Sequence, residues 1–213
     1  MKTDLSDIEL FLFDMDGTLV NTEPFHLMAM KNVLSSKGLA IDLTSQVEHF
    51  AGMTDQLVLK ELYPDMYDDE IKAIIEAKNQ QLVAEFSHFS PSHLSQYLAP
   101  GILPFLKSIK SLNKKMAVVS ASEDIVVDAT LKAFELTNFF EFWLGRNQTE
   151  RTKPHPDPYL LAMHRTKKGP EVTVIFEDSV NGMKAAKDSG AHAILVSPFV
   201  AQNGHKSFDV FSL

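Results

Sequence analysis

The sequence contains no cysteine among its 213 residues. The chain therefore forms no disulfide bond and offers no thiolate ligands for zinc. Its eight histidines show no spacing of the His-Glu-x-x-His kind, so we expect no structural zinc site. A glycine-rich phosphate loop of the Walker type is also missing. A phosphate group bound by this protein would not be held in the manner of the P-loop NTPases.

The sequence also lacks long apolar runs and an excess of basic residues. No run approaches the roughly 18 apolar residues of a membrane-spanning helix, and Met1–Asp4 lacks the apolar core of a signal peptide. We therefore expect no membrane partner and a cytoplasmic location. The formal net charge of −8 argues against nucleic-acid binding, which would require a basic patch. An anionic ligand would need local positive charge, which a metal ion and a lysine could supply.

Hydrophobic residues make up 45% of the chain, which is ample for a packed interior. From Pro100 onward, apolar strands alternate with amphipathic helices. The strands predicted there are Met116–Val119, Phe142–Leu144, Val172–Phe176 and Ala193–Val196. Strands that are joined by helices form parallel sheets with right-handed crossovers. We therefore predict an α/β fold with a doubly wound parallel sheet. Residues 199–213 show no recognisable motif.

Residues 22–96 do not follow this alternation and contain only helical patterns. Thr22-Glu23-Pro24 is typical of a helix start, and Gly38 could end that helix. Apolar residues recur at helical spacing in a later stretch, at Ile71, Ile74, Ile75, Leu82, Phe86 and Phe89. We predict a small helical domain over residues 22–96, inserted into a core formed by residues 1–21 and 97–213.

The apolar run Leu10–Phe13 stops abruptly at two acids, Asp14 and Asp16. Four consecutive apolar residues suit a central parallel strand, and such sheets bind ligands at the carboxyl ends of their strands. Residues two apart in an extended chain point to the same side, so Asp14 and Asp16 could share one pocket. Gly17 permits a turn there and Thr18 adds a hydroxyl. The alternative is a solvated Asp-Gly turn.

Two later segments carry similar chemistry. Ser120 directly follows the strand Met116–Val119, where its hydroxyl and N–H could donate to an anion. Ser122, which precedes Glu123, is interpreted as a helix N-cap. Lys153 lies in a loop stiffened by three prolines, so its ammonium could act as a fixed charge. A loop serine and an exposed surface lysine are the alternative interpretations.

Glu177 and Asp178 end the strand Val172–Phe176 much as Asp14 ends the first. Hard oxygen ligands of this kind suit Mg²⁺, which keeps waters and accepts phosphate oxygens from its substrate. Acid pairs after strands often only cap the next helix. The convergence of several strand ends favours a site over that alternative.

The motifs occur in an order that resembles the haloacid dehalogenase-like hydrolases, in the branch of β-phosphoglucomutase, phosphoglycolate phosphatase and small sugar-phosphate phosphatases. The residues that carry the resemblance are Asp14-Met15-Asp16-Gly17-Thr18, Ser120, Lys153 and Glu177-Asp178. The resemblance implies a Rossmann-like core in which residues 22–96 form a cap. It also implies a Mg²⁺-dependent phosphatase that acts on a small phosphorylated metabolite such as a sugar phosphate. Separately, we expect the protein to be a monomer.

By this resemblance, each motif residue would have a role. Asp14 would be the nucleophile that takes the phosphoryl group. Asp16 would protonate the leaving oxygen and then activate water. Ser120 and Lys153 would bind the oxygens of the transferring phosphoryl group.

The resemblance also implies the ligands of the metal and of the phosphate. Mg²⁺ would be held by Asp14, the carbonyl group of Asp16 and Asp178, and Glu177 would lie in or next to its coordination shell. The phosphate site would further include Gly17, Thr18, Ala121 and His26.

A β-phosphoglucomutase-type mutase is the main alternative, because His26 matches a cap-hinge histidine of that enzyme. Ala51–Asp55, however, lacks the cationic residues that would hold a second phosphate. We therefore favour a phosphatase, and a catalytically silent binding protein is a third possibility. Met53, Thr54 and Gln56 are further candidates for substrate contact. Lys60 or Lys78 could replace the missing cations.

Overall fold

The computed structural model describes residues 3–39, 54–199, 208 and 211–212. The segment Ala51–Met53, which bears on the mutase alternative, lies outside these residues. The chain divides into two compact units. The first consists of Met1–Thr22 and Ser90–Leu213, and the second consists of Glu23–Phe89.

The first unit is built of alternating strands and helices. Its strands are β1 Thr3–Asp4, β2 Leu10–Phe13, β3 Lys115–Val119, β4 Phe142–Leu144, β5 Thr173–Glu177, β6 His192–Leu195 and β7 Phe211–Ser212. The second unit contributes α1 Glu23–Ser36, α2 Asp55–Leu62 and α3 Asp68–Phe86. The helices that follow, all in the first unit, are α4 Pro91–Leu94, α5 Ile102–Ser111, α6 Asp124–Ala133, α7 Asp157–Thr166 and α8 Val180–Asp188. Single 3₁₀ turns lie at Ser95–Tyr97, Thr137–Phe139, Arg146–Gln148 and Pro170–Val172.

Five parallel strands form the central sheet in the order β4-β3-β2-β5-β6. Phe13 of β2 is in register with Val118 of β3 and Phe176 of β5. The residues that follow these three strands therefore emerge at the same edge of the sheet. The chain leaves β2 to build one side and returns to β5 to build the other, which opens a crevice at that edge. The predicted doubly wound α/β fold is confirmed.

One face of the sheet packs against a cluster of aromatic rings. Phe13 and Phe176 stack with ring centroids 5.0 Å apart, and Phe105 of α5 meets both rings edge-on. Phe208 and Phe211 complete the cluster, and both are buried. The C-terminal residues, which show no motif in the sequence, thus contribute to the core. β7 also pairs with β1 in a separate two-stranded parallel sheet.

The opposite face of the sheet is covered by small and aliphatic side chains. Helices α7 and α8 pack here, and small residues such as Ala162 and Ala185 let them lie close to the sheet. Tyr159 of α7 is fully buried against the same face. Both faces of β2 are thus covered, which is why its four residues are apolar without alternation.

The second unit has its own apolar core between α1, α2 and α3. Its buried residues are Met30, Val33, Leu34, Leu59, Ile71 and Ile74. The predicted helices are confirmed, and no strand occurs among the described residues of this unit. Gly38 has a φ of 71° after α1, in the left-handed region that glycine favours at a helix end.

The second boundary between the units lies earlier than the predicted residue 97. The segment Ser90–Tyr97 belongs to the first unit because its end is tied to the loop after β2. Asn21 donates its N–H to the Tyr97 carbonyl at 2.8 Å, and Ala99 donates to the Leu19 carbonyl at 2.9 Å. The functions of the two units as catalytic core and cap stay predictions.

Among the described residues, no helix combines the length and the apolar character that a membrane span requires.

We expect Phe211→Ala to lower the free energy of unfolding by about 3–5 kcal/mol, because it opens a cavity in the aromatic cluster. Urea denaturation monitored by circular dichroism measures the change. Leu112→Ala is the matched control, since Leu112 is 50% exposed and its truncation should cost less than about 1 kcal/mol. Equal losses in the two variants would show that the C-terminal residues do not contribute to the core.

Candidate active site

The residue after β2, Asp14, lies at the centre of the crevice. Its N–H donates to the Phe176 carbonyl at 3.0 Å, which extends the pairing of β2 with β5 by one residue. Asp14 as a whole residue is only 7% exposed. Its position therefore follows from the register of the sheet.

Lys153 connects the three central strands through its ammonium group. The Lys153 Nζ donates to Asp14 Oδ1 at 2.6 Å and to Glu177 Oε1 at 2.6 Å. A third bond runs to the Val119 carbonyl at 2.8 Å. Burial by itself would lower the pKa of Lys153, but the carboxylates of Asp14 and Glu177 outweigh it and raise this pKa well above its ordinary value. The lysine is thus a buried fixed cation and not a surface residue.

Glu177 is fully buried and bonded on both oxygens. In addition to Lys153, Oε1 accepts a hydrogen bond from the Tyr159 hydroxyl at 2.5 Å. Oε2 accepts from Ser179 Oγ at 3.2 Å. Gly182 of α8 lies so close that a Cβ there would be 2.0 Å from the Glu177 carboxylate. Glu177 thus anchors Lys153 from inside the protein.

Asp178 occupies the space beside a second glycine. Gly17 has a φ of 82°, and a Cβ at this position would lie 2.1 Å from Asp178 Oδ2. Thr18 Oγ1 lies 3.4 Å from Asp178 Oδ1, a long hydrogen bond. Burial and then the negative charge of Glu177 raise the pKa of Asp178 to about 7.

Three carboxylates in this cluster could hold a metal ion. Asp14, Glu177 and Asp178 each offer an oxygen, and these oxygens all lie within 4.8 Å of one another. Burial raises the pKa of Asp14 well above its ordinary value; Lys153 lowers it, and the neighbouring carboxylates raise it further. One ammonium therefore does not balance the negative charge, and a divalent cation with hard oxygen ligands fits the excess.

Asp16 points to a different set of partners from Asp14. The Thr22 hydroxyl donates to Asp16 Oδ1. Ser122 Oγ donates to Asp16 Oδ2 at 2.7 Å, and Ser120 Oγ lies 3.4 Å from the same oxygen. The Asp16 carboxylate is thus held by hydroxyl groups and is not part of the three-carboxylate cluster. The predicted role of its backbone carbonyl in metal binding stays a prediction.

The interpretation of Ser122 as a helix N-cap is wrong. The N-cap of α6 is Glu123, and the Ser122 hydroxyl is engaged with Asp16 instead.

Asp157, the first residue of α7, follows the loop that carries Lys153. Its carboxylate accepts two hydrogen bonds from the Arg151 side chain, at 2.9 and 3.0 Å.

The predicted site residues are divided between the two units. The crevice of the first unit brings together Asp14, Asp16, Gly17, Thr18, Ser120, Lys153, Glu177 and Asp178. Ala121 is exposed directly after Ser120, and His26 lies on α1 in the second unit. The roles of all these residues stay predictions.

Sequence reasoning missed five residues that shape the crevice: Thr22, Ser122, Tyr159, Ser179 and Gly182. The spacing of Ser122, two residues after Ser120, could have placed both hydroxyls on one side of an extended segment. A glycine within the first turn of α8 is a weaker signal of close packing. Nothing in the local sequence indicates that Tyr159 would reach Glu177.

A family model described as haloacid dehalogenase-like hydrolase matches residues 11–196 of the chain. A phosphorylated carbohydrates phosphatase from Thermotoga maritima is 30% identical over 189 residues, which cover 88% of this chain and 84% of the relative. A fructose-1-phosphate phosphatase from Escherichia coli is 29% identical over 185 residues, which cover 86% of this chain and 93% of the relative.

The fold is similar to that of a variant of the protein CbbY from Rhodobacter sphaeroides, solved in complex with xylulose-(1,5)bisphosphate. The TM-score is 0.78 and the sequence identity is 26%. The similarity covers 94% of this chain and 95% of the neighbour. It therefore extends over nearly the full length of both proteins.

We expect Gly182→Ala to destabilise the protein by roughly 1–3 kcal/mol, because the new Cβ would displace Glu177 from its buried hydrogen bonds. Thermal unfolding measures the change. Alanine normally stabilises a helix relative to glycine by about 1 kcal/mol, so the clash predicts a change of opposite sign. Asn181→Ala, at an exposed neighbour in α8, is the control. A more stable Gly182→Ala protein would contradict the close packing of Gly182 against Glu177.

We expect the metal-free protein to lose stability as the pH rises from about 4 to about 7. The pKa of Asp178 is about 7 in the folded state and near its usual value of about 4 in the unfolded chain. The folded state therefore keeps a proton that the unfolded state has released, and this favours unfolding over that pH range.

Urea denaturation in EDTA at several pH values measures this dependence. Asp178→Asn removes the titrating group while it keeps the shape of the side chain, so its stability should fall less steeply over the same range. Identical slopes for wild type and Asp178→Asn would show that Asp178 is not perturbed.

Proposed function

Because this chain belongs to the haloacid dehalogenase-like hydrolases, we propose that it is a Mg²⁺-dependent phosphatase that acts on a small phosphorylated carbohydrate. The family match confirms the resemblance that the sequence motifs indicate. The observation that carries the proposal is the buried contact of Lys153 with both Asp14 and Glu177 at the end of the central strand. The similarity to a phosphorylated carbohydrates phosphatase and to a fructose-1-phosphate phosphatase supports this substrate class.

Asp14 is the proposed nucleophile. Its carboxylate attacks phosphorus, the bond from phosphorus to the alcohol oxygen breaks, and an aspartyl phosphate forms. Lys153 donates to Asp14 Oδ1, so its ammonium also lies next to any phosphoryl group attached to Asp14. It can stabilise the negative charge on the transferring oxygens, with help from the Ser120 hydroxyl.

Asp16 is the proposed acid and base. It gives a proton to the alcohol oxygen as that oxygen leaves phosphorus. It then takes a proton from the water that attacks the aspartyl phosphate, which releases inorganic phosphate and restores the Asp14 carboxylate. The hydroxyl partners of Asp16 suit this exchange, because a hydroxyl can donate to a carboxylate or accept from a carboxylic acid.

Mg²⁺ would be held by Asp14 and Asp178 with Glu177 beside them, and when bound it would supply positive charge to the phosphoryl oxygens. The fit rests on the excess of buried carboxylate over cationic charge in the crevice. A monomeric state and a cytoplasmic location stay predictions from the sequence.

The contacts within the second unit do not favour a mutase. Lys78, which could supply a missing cation, is buried and pairs with Asp55 at 2.8 Å. Lys60 pairs with Asp68 at 2.8 Å and donates to the Met66 carbonyl. Thr54, a candidate for substrate contact, accepts a hydrogen bond from the Leu57 N–H as the N-cap of α2. These groups are thus engaged in the structure of the unit itself.

We expect phosphate release from sugar and polyol monophosphates to require Mg²⁺ and to fall at least roughly a thousandfold in Asp14→Asn, which lacks the nucleophile. A panel of sugar phosphates, polyol phosphates, phosphoglycolate and nucleotides identifies the substrate. Binding has an independent readout, since Mg²⁺ should raise the Tm of the wild type at pH 8 and raise that of Asp178→Asn less.

Unchanged turnover in Asp14→Asn would refute the mechanism. Efficient conversion of β-glucose 1-phosphate to glucose 6-phosphate with little phosphate release, in the presence of glucose 1,6-bisphosphate, would favour the mutase. Inactivity on the whole panel together with Mg²⁺ binding would favour a silent binding protein.

A further inference from the structure

Ser122 makes the shorter of two serine contacts to Asp16. Its Oγ lies 2.7 Å from Asp16 Oδ2, whereas Ser120 Oγ lies 3.4 Å from the same oxygen. The two serines are also joined to each other, because the Ser122 N–H donates to Ser120 Oγ at 3.0 Å. The loop after β3 therefore presents both hydroxyls to one carboxylate oxygen.

The backbone of Ser122 is fixed from the opposite side. Its carbonyl accepts the N–H of Arg146, in the 3₁₀ turn after β4, at 2.9 Å. Ser122 is thus held between the ends of two neighbouring strands. A hydroxyl on such a segment has a defined position before any substrate arrives.

Substrate binding would affect Ser120 and Ser122 differently. A phosphoryl group on Asp14 would compete for the Ser120 hydroxyl, whose contact with Asp16 is already long. Ser122 and Thr22 would then be the hydroxyls that keep Asp16 in place, one on each carboxyl oxygen. Because a hydroxyl both donates and accepts, Ser122 can remain bonded whether Asp16 carries the proton or not.

We infer that Ser122 is a positioning residue that aims the Asp16 carboxyl group at the leaving oxygen, while Ser120 is left to bind the phosphoryl group. The inference rests on the proposed phosphatase function and adds to it a residue outside the predicted site. It concerns the protonation of the leaving group, so its effect depends on how much protonation a substrate needs.

The experiment compares two esters in wild type, Ser122→Ala and the control Ser111→Ala. p-Nitrophenyl phosphate releases a stable anion that needs no proton, whereas the best alkyl phosphate of the panel releases an alcohol that does. kcat/KM is measured for each, since it reports the steps up to release of the alcohol or phenol. Ser111 is an exposed serine on α5 whose hydroxyl donates to the Ser108 carbonyl one turn earlier in the same helix.

We expect Ser122→Ala to lower kcat/KM for the alkyl phosphate by at least about tenfold and to change that for p-nitrophenyl phosphate by less than about threefold. The variant should also show a rapid burst of p-nitrophenolate, because Asp16 activates water poorly in the second step. Ser111→Ala should behave like wild type with both esters.

Equal losses on both esters would show that Ser122 is only structural, and unchanged rates on both would show that it does not act through Asp16. Either result overturns the inference and leaves the proposed function intact. A wild type that hydrolyses neither ester would refute the proposed function itself.

Discussion

The buried ammonium of Lys153 is the contact on which the crevice depends. It bonds to one group from each of the three central strands: the carboxylate after β2, the last carbonyl of β3 and the carboxylate that ends β5. A buried charge that loses its partner costs about 3–5 kcal/mol. The register of the sheet and the position of the Lys153 loop are therefore coupled, and neither can shift without leaving a charge unpaired.

Asp14 and Asp16 carry the same carboxyl group but have different hydrogen-bond partners. Asp14 faces the Lys153 ammonium, which can only donate and whose charge lowers the pKa of this carboxyl group against the larger effect of burial. Asp16 faces three hydroxyls, from Thr22, Ser120 and Ser122, which tolerate either protonation state. A nucleophile and a proton carrier need these opposite surroundings. The different partners of the two carboxyl groups thus support the proposed roles without reference to the family resemblance.

Much of this arrangement can be predicted from the sequence, because it follows from periodicity and strand ends. The run Leu10–Phe13 predicts a central strand, and parallel strands bring Asp14, Ser120 and Glu177 to one edge. The contact of Tyr159 with Glu177 depends on how a helix packs on the sheet, which no local pattern specifies. Phe211 likewise enters the core through a strand of two residues, too short to leave a periodic signal.

The two close glycines explain how so many carboxylates stay in place. Glu177 occupies the space that a side chain at position 182 would take, and Asp178 does the same at Gly17. Backbone on one side and hydrogen bonds on the other leave these acids little room to separate, although burial and then their mutual repulsion raise the pKa of Asp178. The folded state therefore retains this repulsion between carboxylates, and a bound cation would reduce it. A metal ion that bound here would find its carboxylate ligands already close together, so binding would not have to assemble them.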